Sequence, residues 1–368
     1  MEATTNRDVR INNRKRLVNL LFMYGEMTKQ DIVKKLDMSL ATVNYLVKEL
    51  IDNGLLTTGA ALNSTGGRKP VCIKPIYEAR YSIGVDVAPD VVRIVALDLG
   101  NHIVAQESYE LLQENLPSYW KSVGGLVSRF DEKIGKPKDV LLDVGVTLGI
   151  TMQDEKPVER KQQNQEIQID LKMASESIGI PVHFRNSTKM AAIAQCWQGN
   201  SPDNFLYIHL GAKLSGAIVF KKEVLDFSGI NGELGCMLVE DTSGTVCLDD
   251  IFSRRTLSKS AGCKNLAELF ERIDNGNSEC RLIWENYLGE LAQLVHNLYC
   301  LFGWKIVLGG SISPYIKEYL PELEKIVREY YPFVQLPDQI LFVSSLGEYG
   351  SAVGAAMLPV DKFLEFAL

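Results

Sequence analysis

Between Thr28 and Gly54, in TKQDIVKKLDMSLATVNYLVKELIDNG, apolar positions recur at helical spacing on both sides of a three-residue turn. Ile32, Val33 and Leu36 give a first short helix its inward face, and Thr28 with Asp31 three residues on has the arrangement of a capping box. The turn is Asp37-Met38-Ser39, with Ser39 suited to cap a second helix. In that helix Val43, Leu46, Val47 and Leu50 point inward, Ala41, Thr42, Asn44, Tyr45 and Lys48 are left outside, and Asn53-Gly54 closes it. Two helices of this length about a tight turn form a helix-turn-helix, whose second helix can enter the major groove of DNA. An ordinary helical hairpin in a core shares the pattern, so the flanking sequence has to decide.

The flanks favour the first reading. Leu55–Thr58 and Val71–Ile73 read as two short strands around Asn63–Pro70, a glycine turn that carries Arg68 and Lys69. That is a wing, whose tip can lay its two cations along phosphates or into the minor groove. On the other side, Ile11–Tyr24 reads as a basic amphipathic helix with Leu17, Leu20, Leu21 and Met23 inward and Arg10, Arg14, Lys15 and Arg16 outward, near phosphates; residues 1–9 read as disordered. The expected DNA-binding set is therefore Ser39, Ala41, Thr42, Asn44, Tyr45, Lys48, Arg68 and Lys69. Lys74–Tyr77 reads as a short, stiff linker because Pro75 fixes its own φ and restricts its neighbour.

From Tyr81 the period becomes strand-like. Tyr81–Val87, Val91–Asp98 and Ile103–Tyr109 are expected strands, followed by a helix over Pro117–Ile134, a buried strand over Val140–Ile150, a further helix, a strand at Val182–Phe184 and a helix over Thr188–Trp197. A second run adds strands at Phe205–Leu210 and Ser215–Phe220, helices around 264–273 and 279–302, a strand at Lys305–Leu308, a helix through 313–331 and a strand at Ile340–Val343. Gly350–Met357, GSAVGAAM, is a small-residue helix suited to close packing. Alternating strands and helices fix the class as α/β.

The bulk numbers add a charge asymmetry. The 368 residues carry a net charge of −7, which speaks against a polyanion partner when read over the whole chain. Residues 1–76, however, hold 12 basic and 7 acidic side chains, a net of +5 that leaves −12 on the remainder. A basic head on an acidic body is the distribution of a nucleic-acid reader with a separate effector domain. The 7 scattered cysteines, without Cys-x-x-Cys pairs, and the lack of a signal peptide or a membrane-spanning run lead to the expectation of a cytoplasmic protein with no membrane partner.

With the winged head, the stretch GGRKP…IKPIYEARYSIGVDV and a two-lobed α/β body, the chain resembles transcriptional regulators of the ROK family (repressors, open reading frames and sugar kinases) from about Asn13 to Met357. The matching landmarks are Ile83-Gly84-Val85-Asp86, Asn186 before the AAIAQCW helix, Gly211 after YIHL, Gly229…Gly232-Glu233-Leu234-Gly235, Cys247-Leu248-Asp249 and Val307-Leu308-Gly309-Gly310. The resemblance implies a winged helix-turn-helix followed by a two-lobed actin-like sugar-kinase body. The expected boundaries are 1–76 for the head, 77–187 with 350–368 for the first lobe, and 188–349 for the second.

What the resemblance implies for chemistry is uneven. Family kinases use an Asp after the Asn of an Asn-Asp pair as the base for the sugar hydroxyl; this chain has Asn186-Ser187, and serine cannot be that base near neutral pH. A Gly-Thr-Gly phosphate loop becomes Gly211-Ala212-Lys213, and the first loop, Asp86–Asp90, lacks its glycine. No enzyme activity and no ATP are expected. The family's structural zinc set is reduced to Cys236 in the His position and Cys247, with Glu240 and Thr242 in the two early cysteine positions, so no metal is expected. The hexose-binding set maps onto Asn186, Ser187, Glu233, Cys236 and Asp249, a polar group suited to vicinal hydroxyls. The reading is a cytoplasmic repressor of carbohydrate-utilisation genes that binds a double-stranded operator as a dimer or tetramer and responds to a sugar-like effector through lobe closure. A sugar kinase with a fused DNA-binding head, and a regulator with no small-molecule ligand, are the alternatives.

Overall fold

A computed structural model describes residues 6–61, 71–114, 116–153, 156–157, 169–199, 201–226, 231–241, 244–332 and 335–366. The wing tip with Arg68 and Lys69, the landmark Gly229, and Thr242 lie outside the described residues.

The head begins with α1 (Asn6–Tyr24), followed by β1 (Met27–Thr28), α2 (Lys29–Leu36), α3 (Leu40–Asp52), β2 (Leu56–Ala61) and β3 (Val71–Pro75), the strands pairing antiparallel in the order β1-β3-β2. Local chemistry sets each boundary. Thr28 and Asp31 complete the capping box of α2, Asp37 ends it in the left-handed region at φ 53°, Ser39 accepts the Thr42 N–H to start α3, and Gly54 at φ +70° turns the chain out of it. Ile32, Leu36, Val43, Leu46, Val47 and Leu50 are buried as the periodicity requires.

Three expectations need correction here. α1 starts at Asn6 rather than Ile11, because Arg10 reaches Glu49 of α3 at 3.0 Å and ties the basic first turns down. Met23 is 57% exposed and Phe22 takes the inward place, continuing the stripe of Leu17, Val18 and Leu21 and meeting Tyr77 edge-on at 5.8 Å. Lys74-Pro75 is no linker: β3 runs through it, Ile76 N–H bonds Leu55 O, and a 3₁₀ turn at Tyr77–Ala79 follows. The head's apolar core in fact continues into the body, taking in Leu99, Val360 and Leu364.

The first lobe is a five-stranded sheet in the order β10-β7-β4-β5-β6. β4 (Tyr81–Val87), β5 (Val91–Asp98) and β6 (Ile103–Glu110) form an antiparallel meander; α4 (Pro117–Ile134) then leads to β7 (Leu141–Leu148), parallel to β4. A small hairpin of β8 (Met152–Gln153) and β9 (Lys156–Pro157) precedes α5 (Leu171–Ile178), β10 (Val182–Asn186) and α6 (Ser187–Cys196). α4 and α5 cover one face through Trp120, Val123, Phe130 and Ile178.

The second lobe is also five-stranded, in the order β13-β12-β11-β16-β17. β11 (Phe205–Leu210), β12 (Leu214–Phe220) and β13 (Glu223–Val224) lead into a hairpin of β14 (Leu238–Asp241) and β15 (Gly244–Cys247). Then come α7 (Asp249–Phe252), α8 (Arg254–Ser260), α9 (Leu266–Asp274), α10 (Ser278–Phe302), β16 (Lys305–Gly309), α11 (Ser313–Glu329) and β17 (Leu341–Val343). The core of this lobe gathers around Trp284, Tyr287 and Leu291 of α10.

The chain returns to the first lobe as α12 (Gly350–Phe366), which with α6 fills the other face of the first sheet. A Cβ at Gly84 would overlap Ala352 O, one at Gly145 would overlap Ala355 O, and one at Gly354 would overlap Met190 O. The small residues thus let α12 lie backbone-to-backbone on β4, β7 and α6. Expected to end at Met357, the helix instead runs nine residues further through Pro359, and that extension carries Val360 and Leu364 into the head.

Candidate functional site

On the head, α3 presents Ala41, Asn44, Tyr45 and Lys48 to solvent beside the exposed cap Ser39, with Thr42 half-buried. The Ser39 and Thr42 hydroxyls sit 2.8 Å apart, so both are partly engaged in the cap. Lys29 donates to Asn44 Oδ1 at 2.8 Å, and the Arg10 guanidinium lies over the Tyr45 ring at 4.9 Å. Cations from α1 and α2 are thereby held against the outward face of α3. The basic residues of α1 are less available than expected, because Arg14 also bonds Glu49 at 3.0 Å and Arg16 donates to Leu36 O at 2.6 Å. Lys29, which the sequence reading passed over, occupies the first position of α2 and so projects beside α3.

Between the lobes lies a cavity of about 420 Å³. Its floor is built from strand ends: Asp86 from β4, Arg93 from β5, Asn186 and Ser187 at the β10–α6 junction, and His209 from β11. Buried Asp86 accepts from Thr147 Oγ1 at 2.9 Å and from Ser187 Oγ at 3.1 Å, and lies 3.6 Å from Arg93 Nη1. Arg93, itself buried, also donates from Nε at 3.0 Å and Nη2 at 2.6 Å to Glu348 Oε2. His209 Nδ1 is shut off from solvent without a hydrogen-bond partner among the described residues. Burial pushes its pKa down to about 4, with Asp86 opposing and Arg93 adding to the shift, so the imidazole is neutral at pH 7.

The walls bring the two lobes together. Thr151 donates to Glu233 at 2.7 Å, the Thr188 and Ser215 hydroxyls meet at 2.6 Å, and Arg254 bonds Asp90 across the mouth. Beyond that pair a larger cavity of about 1050 Å³ opens outward, edged by Lys213, Arg255, Lys259 and Lys264.

Of the five residues mapped for sugar binding, Asn186, Ser187 and Glu233 meet in the cleft. Asn186 caps α6 by accepting the Lys189 N–H at 3.0 Å, and its amide donates to Ile150 O at 2.8 Å. Cys236 and Asp249 are not among the residues that line the cavity. Cys236 is exposed on the 3₁₀ turn Leu234–Cys236, while Asp249 accepts the Leu214 N–H at 2.6 Å from behind the wall, its pKa raised by burial. Asp249 thus holds the loop after Gly211 rather than facing the cleft. Cys247 sits in the β14–β15 hairpin opposite Leu238, and among the described residues no group of three or more His, Cys, Asp or Glu side chains is placed to hold a metal ion. Arg93, His209 and Glu348 are among the cleft residues that the sequence reading missed. The signal for the first was a single cation inside the otherwise apolar run VVRIVAL.

Residues 82–362 match the ROK family, and residues 12–57 match the family described as winged helix-turn-helix DNA-binding. Over 383 residues the chain is 24% identical to the xylose repressor of Bacillus subtilis (strain 168), covering 96% of each protein. It is 21% identical to the DNA-binding transcriptional dual regulator NagC of Escherichia coli (strain K12), covering 92% of this chain and 90% of that one. The fold is that of a crystallised ROK family transcriptional regulator, a homolog of the E. coli MLC protein, at a TM-score of 0.71 with 18% identity and 97% of both chains covered. Among the described residues no helix is long and apolar enough to cross a membrane.

Proposed function

The chain belongs to the ROK family, and on that premise we propose that it is a DNA-binding, sugar-responsive repressor of carbohydrate-utilisation genes. The observation that carries the reading is the pairing of two sites in one chain: an exposed, cation-flanked α3 on the head and a cavity between the two lobes that polar and charged side chains line. Residues 1–76 are the DNA-binding unit, with Ser39, Ala41, Thr42, Asn44, Tyr45 and Lys48 on the groove side and Arg68 and Lys69 in the wing. The lobes are 77–187 with 350–368, and 188–349. Asn186, Ser187 and Glu233 hold the effector. One helix-turn-helix reads one half-site, so the protein works as a dimer or tetramer on a palindromic operator in the cytoplasm.

The cleft acts as a sensor and not as a kinase site. Ser187 has no carboxylate to take the proton of a sugar hydroxyl and instead donates to Asp86, so Asp86 is engaged by Thr147, Ser187 and Arg93 rather than open as a base. Lys213 stands in the loop where a phosphate would need bare backbone, and neither ATP nor zinc belongs to the working protein. Selection of duplexes from a random pool by the full chain, followed by thermal unfolding with D-xylose and other sugars, tests the reading. It is expected to yield one palindromic sequence and a sugar that raises the unfolding temperature and releases the DNA. Formation of a sugar phosphate from ATP would establish the kinase alternative. A selected palindrome without any sugar response would leave a DNA-binding protein with no effector.

A further inference from the structure

Arg93 occupies a position that the reading of the cleft as an effector site, on which this inference rests, leaves unused. Its buried guanidinium lines the cleft, with one arm toward Asp86 and two N–H groups on Glu348. Asp86 is fixed in place by Thr147 and Ser187, whereas the Glu348 side chain is 41% exposed and its hydrogen bonds among the described residues are the two from Arg93. A polar occupant that draws the guanidinium to itself therefore takes from Glu348 the bonds that hold it, while Asp86 keeps its own.

Glu348 sits at a consequential place in the chain. The segment 344–349 crosses from the second sheet to the first: Ser344 N–H bonds Leu308 O of β16 on one side, and Glu348 is held by Arg93 of β5 on the other. Directly after it α12 begins, packed backbone-to-backbone on β4, β7 and α6, with its far end in the core of the head. Head, first sheet and α12 are therefore packed into one unit, and the crossover joins the second lobe to it. We propose that Arg93 is the contact through which the occupant of the cleft reaches the DNA-binding head, with Glu348 the positioning residue that locks the crossover. When the occupant takes Arg93, the lock loosens and the second lobe rotates relative to the unit that carries α3.

Glu348→Gln keeps size and polarity while removing the charge that Arg93 grips, so it tests the lock without an added sugar. The duplex selected by the full-length protein serves as the probe, with Lys133→Gln, which breaks a surface pair to Glu107 on the same lobe, as the control. Glu348→Gln is expected to lose on the order of tenfold in affinity for that duplex. Amide exchange should quicken at 347–353 while the amides of 43–50 keep their protection, and the control should match the original protein. Unchanged affinity in Glu348→Gln would overturn the proposal. So would a loss that comes with loss of protection at 43–50, because Glu348 would then serve only the fold. If the original protein selects no duplex, the reading of the head fails and takes this inference with it; if it does and Glu348→Gln matches it, only the coupling fails.

Discussion

A neutral histidine inside a cleft of charges is the residue whose behaviour in solution is easiest to isolate. His209 has a folded-state pKa of about 4 against an ordinary value near 6.5. A basic group whose pKa is depressed on folding binds its proton more readily in the unfolded chain. Its penalty is therefore absent above pH 6.5 and grows as the pH falls toward 4, reaching roughly 3 kcal/mol. His209→Asn is expected to remove this component, so that the difference in unfolding free energy between variant and original protein changes by that order between pH 7 and 4. A constant difference across the range would mean that the ring titrates normally. No reading of YIHL could have anticipated this, because the groups that act on His209 come from β4 and β5, more than a hundred residues away. The partner of Arg93 was hidden for the same reason: Glu348 is 255 positions off. Asn186 and Glu233 were legible through the family motif alone, and Cys236 and Asp249 show the limit of such mapping. A motif fixes the order of residues along a loop but not which of them turns inward.

At the scale of elements, boundaries marked by local chemistry were readable. Thr28, Ser39, Pro117 and Gly54 each start or stop a helix by a mechanism local to the residue, a capping hydroxyl, a fixed φ or the positive φ that a missing Cβ allows. Ser39 carries a consequence for binding as well as stability, because its hydroxyl both caps α3 and holds Thr42. Ser39→Ala should cost about 1 kcal/mol in the unfolding of the chain, whereas Ser39→Asp, which also caps, should hold that stability yet weaken DNA binding by placing a negative charge toward phosphate. Chemical denaturation beside a DNA titration separates the two effects; equal losses in both variants would remove the cap from the argument. Elements with too little apolar pattern were missed. α7 and α8 lie in DDIFSRRTLSKS, where apolar residues are too few to show a period although Ser253 caps α8, and β14 and β15 are four residues each. The extension of α12 was lost because Pro359 reads as a stop, although the helix passes through it.

That extension decides how the whole molecule is put together. A sequence with a basic head, a proline and an acidic body suggests two units on a short tether. The structure instead gives the head a core completed from elsewhere: Val360 fully buried, Leu364 nearly so, and Leu99 from the turn after β5, all within one cluster with Leu17 and Leu21 of α1. Pairs separated by some 340 positions along the chain leave no local trace, so the union of head and body could not be read in advance. It has a thermodynamic signature. A head that shares its core with the first lobe cannot unfold alone without exposing α12, so the full chain should lose the protection of α3 and of β4 in a single cooperative step. Leu364→Ala opens a cavity in that shared core at a cost of about 2–5 kcal/mol and should split the step, α3 losing protection first while β4 keeps it. Hydrogen exchange of the two segments along a denaturant series provides the measurement. Should α3 and β4 already separate in the original protein, the head would be an independent domain after all, and rigid transmission from cleft to DNA would lose its physical basis.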